Sequence, residues 1–411
     1  MRRSPSMKVV LPAGLLLALL VAWLYGLARE TVPQMPQSKV MVARSESLDT
    51  AIRPDLWPSG YPLLLFVARQ LHCSPASVNL ALFFLTIALV LVVSRRCFPN
   101  LSPYWLPLAY ALCAFNYYNL AQFTSEALVV PLSLVVLLLL ADYQRRRLFS
   151  TLACMSLCCA LLFVSRYQAM LWLVPIVVFN VIFTARPPRT VALVHALGFA
   201  LIAFAAVGAD MAQTYRGTGH LTGMSRLGWD SRELPRGVQD YSGATGLREN
   251  LLLTLKTYFL DFVSPFDYGT HDANRLPHAF TLAEAGAVLL FGLSAGVLAL
   301  TLIRWVRSRG SLVRALSEWR ESSLMTLLAV EFLVGYLLVT LVVWTIGNND
   351  PLYSRFLYPS YVYAMIVAFA GYALVKRASV SMTLRAPMLA LFAYLLALNV
   401  NKLAFTTMLT R

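Results

Sequence analysis

Long apolar runs, several of them long enough to cross a bilayer, recur from one end of this 411-residue chain to the other. A hydrocarbon core about 30 Å thick takes ~20 apolar residues wound as a helix. Hydrophobic residues make up 59% of the chain and charged residues 13%, whereas an ordinary globular domain carries about 25% charged residues. The chain therefore reads as an all-α polytopic membrane protein, a single transmembrane domain over residues 1–411 with about eleven transmembrane helices. The expected spans are Lys8–Ala28, Ser77–Val93, Tyr104–Phe115, Glu126–Ala141, Ser150–Phe163, Met170–Phe183, Val191–Gly208, Leu282–Ile303, Met325–Ile346, Tyr358–Val375 and Met388–Leu403, the third being short. The first follows Arg2, Arg3 and Lys8. It is longer than the h-region of a signal peptide (about 7–15 residues), and no small-x-small cleavage site clearly follows, so it reads as a retained span.

Charge gives a second and independent signal. Every second loop is short and basic: Arg95-Arg96, Arg145-Arg146-Arg147, Arg186 to Arg189, Arg304 to Arg320 and Lys376 to Arg385. Lys and Arg concentrate in cytoplasmic loops, so this alternation places the amino terminus in the cytoplasm of a multi-pass plasma or inner membrane protein. Most acidic residues divide the other way, with Asp142, Glu318 and Glu321 as cytoplasmic exceptions. Two large polar segments, 29–76 and 209–281, fall outside, and so would any chemistry. Within the first, Tyr61 to Leu71 is apolar but too short to span, which predicts an interfacial helix anchored by Trp57 and Tyr61. Leu251 to Phe262 is a similar element in the second, and loops of this size with their own structure are usually functional.

The net charge of +15 is what cytoplasmic loops and anionic headgroups ask for. No basic patch interleaved with aromatics accompanies it, so nucleic acid is not an expected partner. The six cysteines, Cys73, Cys97, Cys113, Cys154, Cys158 and Cys159, form no paired CxxC pattern; most sit within or beside apolar runs, where a cysteine reads as a small buried hydrophobe. His271 and Asp272 are adjacent on a loop, a poor metal site by themselves. No cofactor is called for by spacing, and a divalent metal stays compatible with the residues.

Four outer patches carry candidate chemistry. The first is Glu46, Asp49 and Asp55 with Trp57-Pro58-Ser59-Gly60-Tyr61-Pro62. A carboxylate there can act as general base on an acceptor hydroxyl, or the acids simply decorate a loop shaped by Pro and Gly. The second is Asn116-Tyr117-Tyr118-Asn119 through Ser125-Glu126. A carboxylate opening an apolar span faces a cavity or a partner, or else marks a helix start capped by Ser125. The third is Ser165-Arg166-Tyr167-Gln168, where Arg166 suits a phosphate or snorkels to headgroups. The fourth runs from Asn348 through Asp350, Tyr353 and Arg355 to Pro359. There Arg355 is placed to bind phosphate through its planar fork, the alternative being a surface pair with Asp350.

These elements, taken together, resemble the GT-C superfamily of membrane glycosyltransferases, in particular the protein-mannosyltransferase-like and dolichyl-phosphate-mannose-type group. The matches are Trp57 to Pro62 with Leu63 to Leu65, Ser125-Glu126, Arg166-Tyr167 and Ser354-Arg355-Phe356-Leu357-Tyr358-Pro359, in family order over roughly residues 1–375. The resemblance implies a polyprenyl-phosphate sugar donor, an inverting displacement and an acidic catalytic residue in the first outer loop. The family usually sets an Asp soon after the first span, often followed by Tyr; Arg44-Ser45-Glu46-Ser47-Leu48-Asp49 has no such Tyr. Asp49 is the best match for the base, with Asp55 and Glu46 in reserve. Arg355 and Arg166 are the expected donor-phosphate ligands, and Trp57, Tyr61, Glu126, Asp350 and Tyr353 the expected substrate contacts. The partners implied are the lipid-linked donor, the bilayer, and a glycan, lipid or protein acceptor. The rival readings are a polymerase or ligase of lipid-linked glycans, a lipid or sugar transporter, and a non-catalytic assembly subunit. A transporter is expected to carry charges within its spans, where Glu331 is the notable one.

Overall fold

The structure is a computed structural model of the chain. It describes residues 5–28, 36–52, 58–99, 101–113, 123–166, 168–183, 189–219, 324–340 and 354–377, with a few isolated positions between them, among them Asn116 and Leu120. All regular structure among the described residues is helical. The helices are α1 (Pro5–Ala28), α2 (Pro36–Arg44), α3 (Leu48–Ala51), α4 (Gly60–Gln70), α5 (Pro75–Cys97), α6 (Trp105–Ala111), α7 (Glu126–Arg146), α8 (Phe149–Ser165), α9 (Gln168–Phe183), α10 (Arg189–Thr218), α11 (Leu324–Thr340) and α12 (Ser354–Arg377). Three of them, Pro75–Cys97, Glu126–Arg146 and Thr190–Arg216, are long and apolar enough to cross a membrane, and Leu11–Leu24, Phe149–Ser165, Leu171–Ile182 and Leu324–Thr340 are shorter apolar helices. The eighth and eleventh expected spans, and the element at Leu251–Phe262, lie outside the described residues apart from isolated positions.

Local rules account for the helix ends. Ser74 caps α5 by accepting from the Ser77 amide at 3.2 Å, Pro75 fills the first turn, and Arg95 and Arg96 occupy the last. A proline needs no donor there, and cations suit the negative end of the helix. The same polarity marks α7, which opens on Glu126 and closes on Arg145 and Arg146, with Arg147 in the left-handed conformation at φ 56°. Ser125 stands at the N-cap position of α7 but makes no side-chain cap bond. Its hydroxyl reaches the Glu126 carboxylate at 3.4 Å instead of a backbone amide.

Two expected spans change their limits. The third is a helix of only 7 residues, Trp105–Ala111, whereas the seventh runs on as Arg189–Thr218 and takes Asp210 into the helix. α8 supplies the close packing at the centre of the bundle. Its row of small residues, including Ser156, Cys159 and Ala160, is buried. Ser156 Oγ reaches the Phe199 carbonyl of α10 at 3.3 Å, an approach that small side chains permit.

From α7 to α10 successive helices run in opposite directions, as long-range contacts at their two ends show. At one end Arg96 pairs with Asp142 at 2.8 Å, Tyr143 Oη bonds His195 Nδ1 at 2.8 Å, and Phe98 stacks near Phe369. Asp142, an acidic exception in a basic loop, thus answers the arginine of a neighbouring helix. The opposite end gathers Tyr61, Asn79, Asn116, Glu126, Arg166 and Tyr358. α2 and α4 share a small second core at that end, in which Met41, Tyr61, Leu65 and Ala68 pack against Ala76, Val78, Leu82 and Phe123.

Candidate functional site

The site begins with a turn. After α2 the chain reverses through Ser45 and Glu46, and Ser47 caps α3 in a reciprocal box. Ser47 Oγ accepts from the Thr50 amide at 3.2 Å, and Thr50 Oγ1 accepts from the Ser47 amide at 3.2 Å. This is the capping-box logic with Thr in place of the usual Glu or Gln. Glu46 and Asp49 stand exposed on this turn. The Arg44 guanidinium, 7% exposed, lies beneath it and donates to the carbonyls of Thr50 and Ala51. From the far end of α10, Gln213 donates to the Ile52 carbonyl at 3.3 Å.

The Pro58-Ser59-Gly60-Tyr61-Pro62 run then seats α4 on the bundle. A Cβ at Gly60 would lie 2.5 Å from Ser165 Oγ and 2.9 Å from the Ser165 nitrogen and the Val164 carbonyl carbon. Only glycine lets the backbone come this close. Tyr61, next along, is fully buried and its hydroxyl bonds Asn79 Oδ1. Burial holds the Tyr61 phenol well above its ordinary range; the Asn79 bond opposes this, and the charge of Glu126 adds to it.

Under α4 lies the main electrostatic feature of the structure. Arg166 Nη1 donates to Glu126 Oε1 at 2.9 Å, and the two residues are 7% and 2% exposed. Glu126 is the first residue of α7 and Arg166 the C-cap of α8, so each charge sits at the helix end whose dipole favours it. Tyr336 of α11 lies within electrostatic reach of both charges, and the Trp172 ring meets it edge-on with centroids 5.4 Å apart.

A second buried cluster adjoins. Tyr110 and Tyr358 share a hydroxyl–hydroxyl bond of 2.7 Å, Tyr358 Oη donates to Asn116 Oδ1, and Asn116 Nδ2 donates back to the Tyr110 carbonyl. Tyr358 is one turn along α12 from Arg355, which falls in that helix's first turn. The second and fourth sequence patches therefore meet through Asn116 and Tyr358, and the first and third meet through Gly60 and Ser165.

Of the predicted site residues, Glu46, Asp49, Tyr61, Glu126 and Arg166 are placed at this end of the bundle, as is the backbone of Arg355. Asp55, Trp57, Asp350 and Tyr353 lie outside the described residues. Arg44, Asn79, Tyr336 and Gln213 were not singled out from the sequence. Two of them carried a signal: Asn79 is an amide in an apolar span, and Arg44, like Arg166, is a cation in a segment read as outer. Among the described residues no group of three His, Cys, Asp or Glu side chains gathers that could hold a metal ion. Chemically, the arrangement offers exposed carboxylates on a braced turn, next to a buried, charge-balanced pair. No family model matches the chain, and no curated protein matches it.

Proposed function

We propose that the chain is a multi-pass membrane glycosyltransferase of the GT-C type, moving a sugar from a polyprenyl-phosphate donor to a hydroxyl acceptor on the extracytoplasmic side. The observation that carries this reading is convergence. Four segments spread from residue 46 to residue 358 meet at one end of the bundle through Gly60–Ser165, Glu126–Arg166 and Asn116–Tyr358. In this reading about eleven helices span the membrane with the amino terminus inside, and α4 lies at the outer interface.

The roles follow from the chemistry. Asp49, with Glu46 and Asp55 in reserve, takes the proton of the acceptor hydroxyl as its oxygen attacks the anomeric carbon. The bond from that carbon to the phosphate oxygen breaks, and the lipid phosphate departs with the bonding pair. A phosphate is stable as an anion and needs no second acid to leave. Arg355 holds the donor phosphate, with Arg166, paired with Glu126, as the second candidate. Trp57, Asp350 and Tyr353 line the approach of the substrates, and Tyr61, fully buried and bonded to Asn79, seats α4 beside them.

The test is transfer of labelled sugar from a panel of polyprenyl-phosphate sugars by the purified, reconstituted chain. Transfer that disappears in folded Asp49→Asn and Arg355→Ala supports both roles. Transfer surviving Asp49→Asn moves the base to Asp55 or Glu46, and a folded parent silent with every donor refutes the reading. One observation favours transport of a lipid or sugar as a second reading. Glu331, half-buried on an apolar helix, accepts from Asn180 Nδ2 at 2.5 Å, and Asn180 Oδ1 accepts from Gln144 Nε2 at 2.6 Å. Intramembrane carboxylates often mark substrate paths. Flux across vesicles without transfer would select that reading.

A further inference from the structure

A buried cation, Arg44, braces the acidic turn from beneath. Arg44 ends α2. Its Nε donates to the Thr50 carbonyl at 3.3 Å, and its Nη2 donates to the Ala51 carbonyl at 3.2 Å and to Ser59 Oγ at 3.4 Å. The first two acceptors are carbonyls at the carboxyl end of α3, where backbone oxygens have no helical partner. Thr50 returns the contact, its Oγ1 donating to the Arg44 carbonyl at 2.8 Å. The third bond leaves the turn altogether: Ser59 precedes Gly60, the residue seated on Ser165 beside Arg166.

From these bonds we infer that Arg44 is a positioning residue for glycosyl transfer, fixing the turn that carries Glu46 and Asp49 in register with the Gly60–Arg166 floor of the site. The inference rests on the glycosyltransferase reading and adds to it a residue that touches neither substrate. A general base must lie within hydrogen-bond reach of its proton, and a displacement of about 1 Å costs on the order of 100-fold in rate. Lysine is a poor substitute, because its compact ammonium lacks the planar fork that reaches three acceptors on two segments.

The experiment uses the full chain in lipid nanodiscs, as parent, Arg44→Lys, Arg44→Met and Thr50→Val. Two readouts are taken: transfer kinetics against pH, and hydrogen exchange over residues 36–70. In Arg44→Met the kcat is expected to fall about 10- to 100-fold, with the donor KM within about twofold and the acid limb of the pH profile unmoved. Amides of residues 47–52 should exchange about tenfold faster while those of α5 and α7 keep the parent's rates. Thr50→Val, which removes the reciprocal bond and the Thr50 half of the capping box while the Ser47 cap on the residue 50 amide stays, should give the same pattern more weakly, and Arg44→Lys should fall between parent and Arg44→Met. Parent-like exchange in Arg44→Met overturns the inference. So does a donor KM that rises with kcat preserved, which would make Arg44 a donor ligand. A silent parent refutes the glycosyltransferase reading and this role with it, an outcome distinct from losses confined to the variants.

Discussion

Replacing Glu126 by alanine leaves the Arg166 guanidinium, 7% exposed, facing the space where its carboxylate stood 2.9 Å away. With charge centres about 4 Å apart and an effective dielectric near 20, the attraction lost is about 4 kcal/mol. The dipoles of α7 and α8 add roughly 0.3–1 kcal/mol for each charge. Against this stands the desolvation of both ions, several kcal/mol each, so the intact pair contributes little net stability. Breaking it is another matter, since the desolvation of Arg166 is then unopposed. The expected loss for Glu126→Ala is about 3–5 kcal/mol. Glu126→Gln keeps an acceptor for Nη1 and is expected to lose less, about 1.5–3 kcal/mol. The double variant Glu126→Leu, Arg166→Met removes both charges with little change in volume and is expected to recover most of the loss. The assay is a double-mutant cycle on thermal or denaturant unfolding in one detergent, and the signature is strong non-additivity. A loss below about 1 kcal/mol for Glu126→Ala, the range of exposed pairs, would refute the burial argument.

Other sites give further expectations. Gly60→Ala should destabilise the chain by about 1–3 kcal/mol through overpacking against the Ser165 backbone, whereas Gly208→Ala, with nothing within 4 Å of the added carbon, should be neutral or slightly stabilising in a thermal scan. Tyr358→Phe strands Tyr110 Oη and Asn116 Oδ1 in a buried cluster and should cost about 1–3 kcal/mol by the same scan; a loss no larger than that of an exposed Tyr→Phe variant would count against the cluster. Asp142→Asn should change stability by no more than about 1 kcal/mol, because the Arg96–Asp142 pair is about a third exposed on each side and water screens it. Exposed Cys73 should react with an impermeant maleimide applied from outside intact cells; protection there, with reaction only after the membrane is opened, would invert the proposed topology.

The positions of several described helices were legible in the sequence. Hydropathy and loop charge are local, additive properties, and a bilayer reads them segment by segment. That is why α5, α7 and α8 fall close to their expected places and α4 matches the short apolar stretch from Tyr61 to Leu71 to within a residue at each end. Limits were less legible where the bilayer does not set them. α6 stops at Ala111, and α10 continues past Gly208 because Asp210 and Gln213 can stay helical once beyond the apolar window. Candidate site residues were legible as types: a carboxylate opening a span, or an arginine between two apolar runs, is costly enough in lipid to stand out.

What the sequence by itself determined, then, is a helical membrane chain, an alternating charge pattern and the polar residues that such a chain must account for. Which of those residues meet was decided by the tertiary structure alone. Glu126 meets Arg166 across 40 positions and Tyr110 meets Tyr358 across 248, and Gly60 is a glycine because the end of α8 passes under it. Pairing depends on how helices are ordered and rotated against one another. That arrangement is set by close packing of small residues such as those of α8 and by the cost of an unmatched buried charge; such residues are visible one by one in the sequence, but their partners on other helices are not.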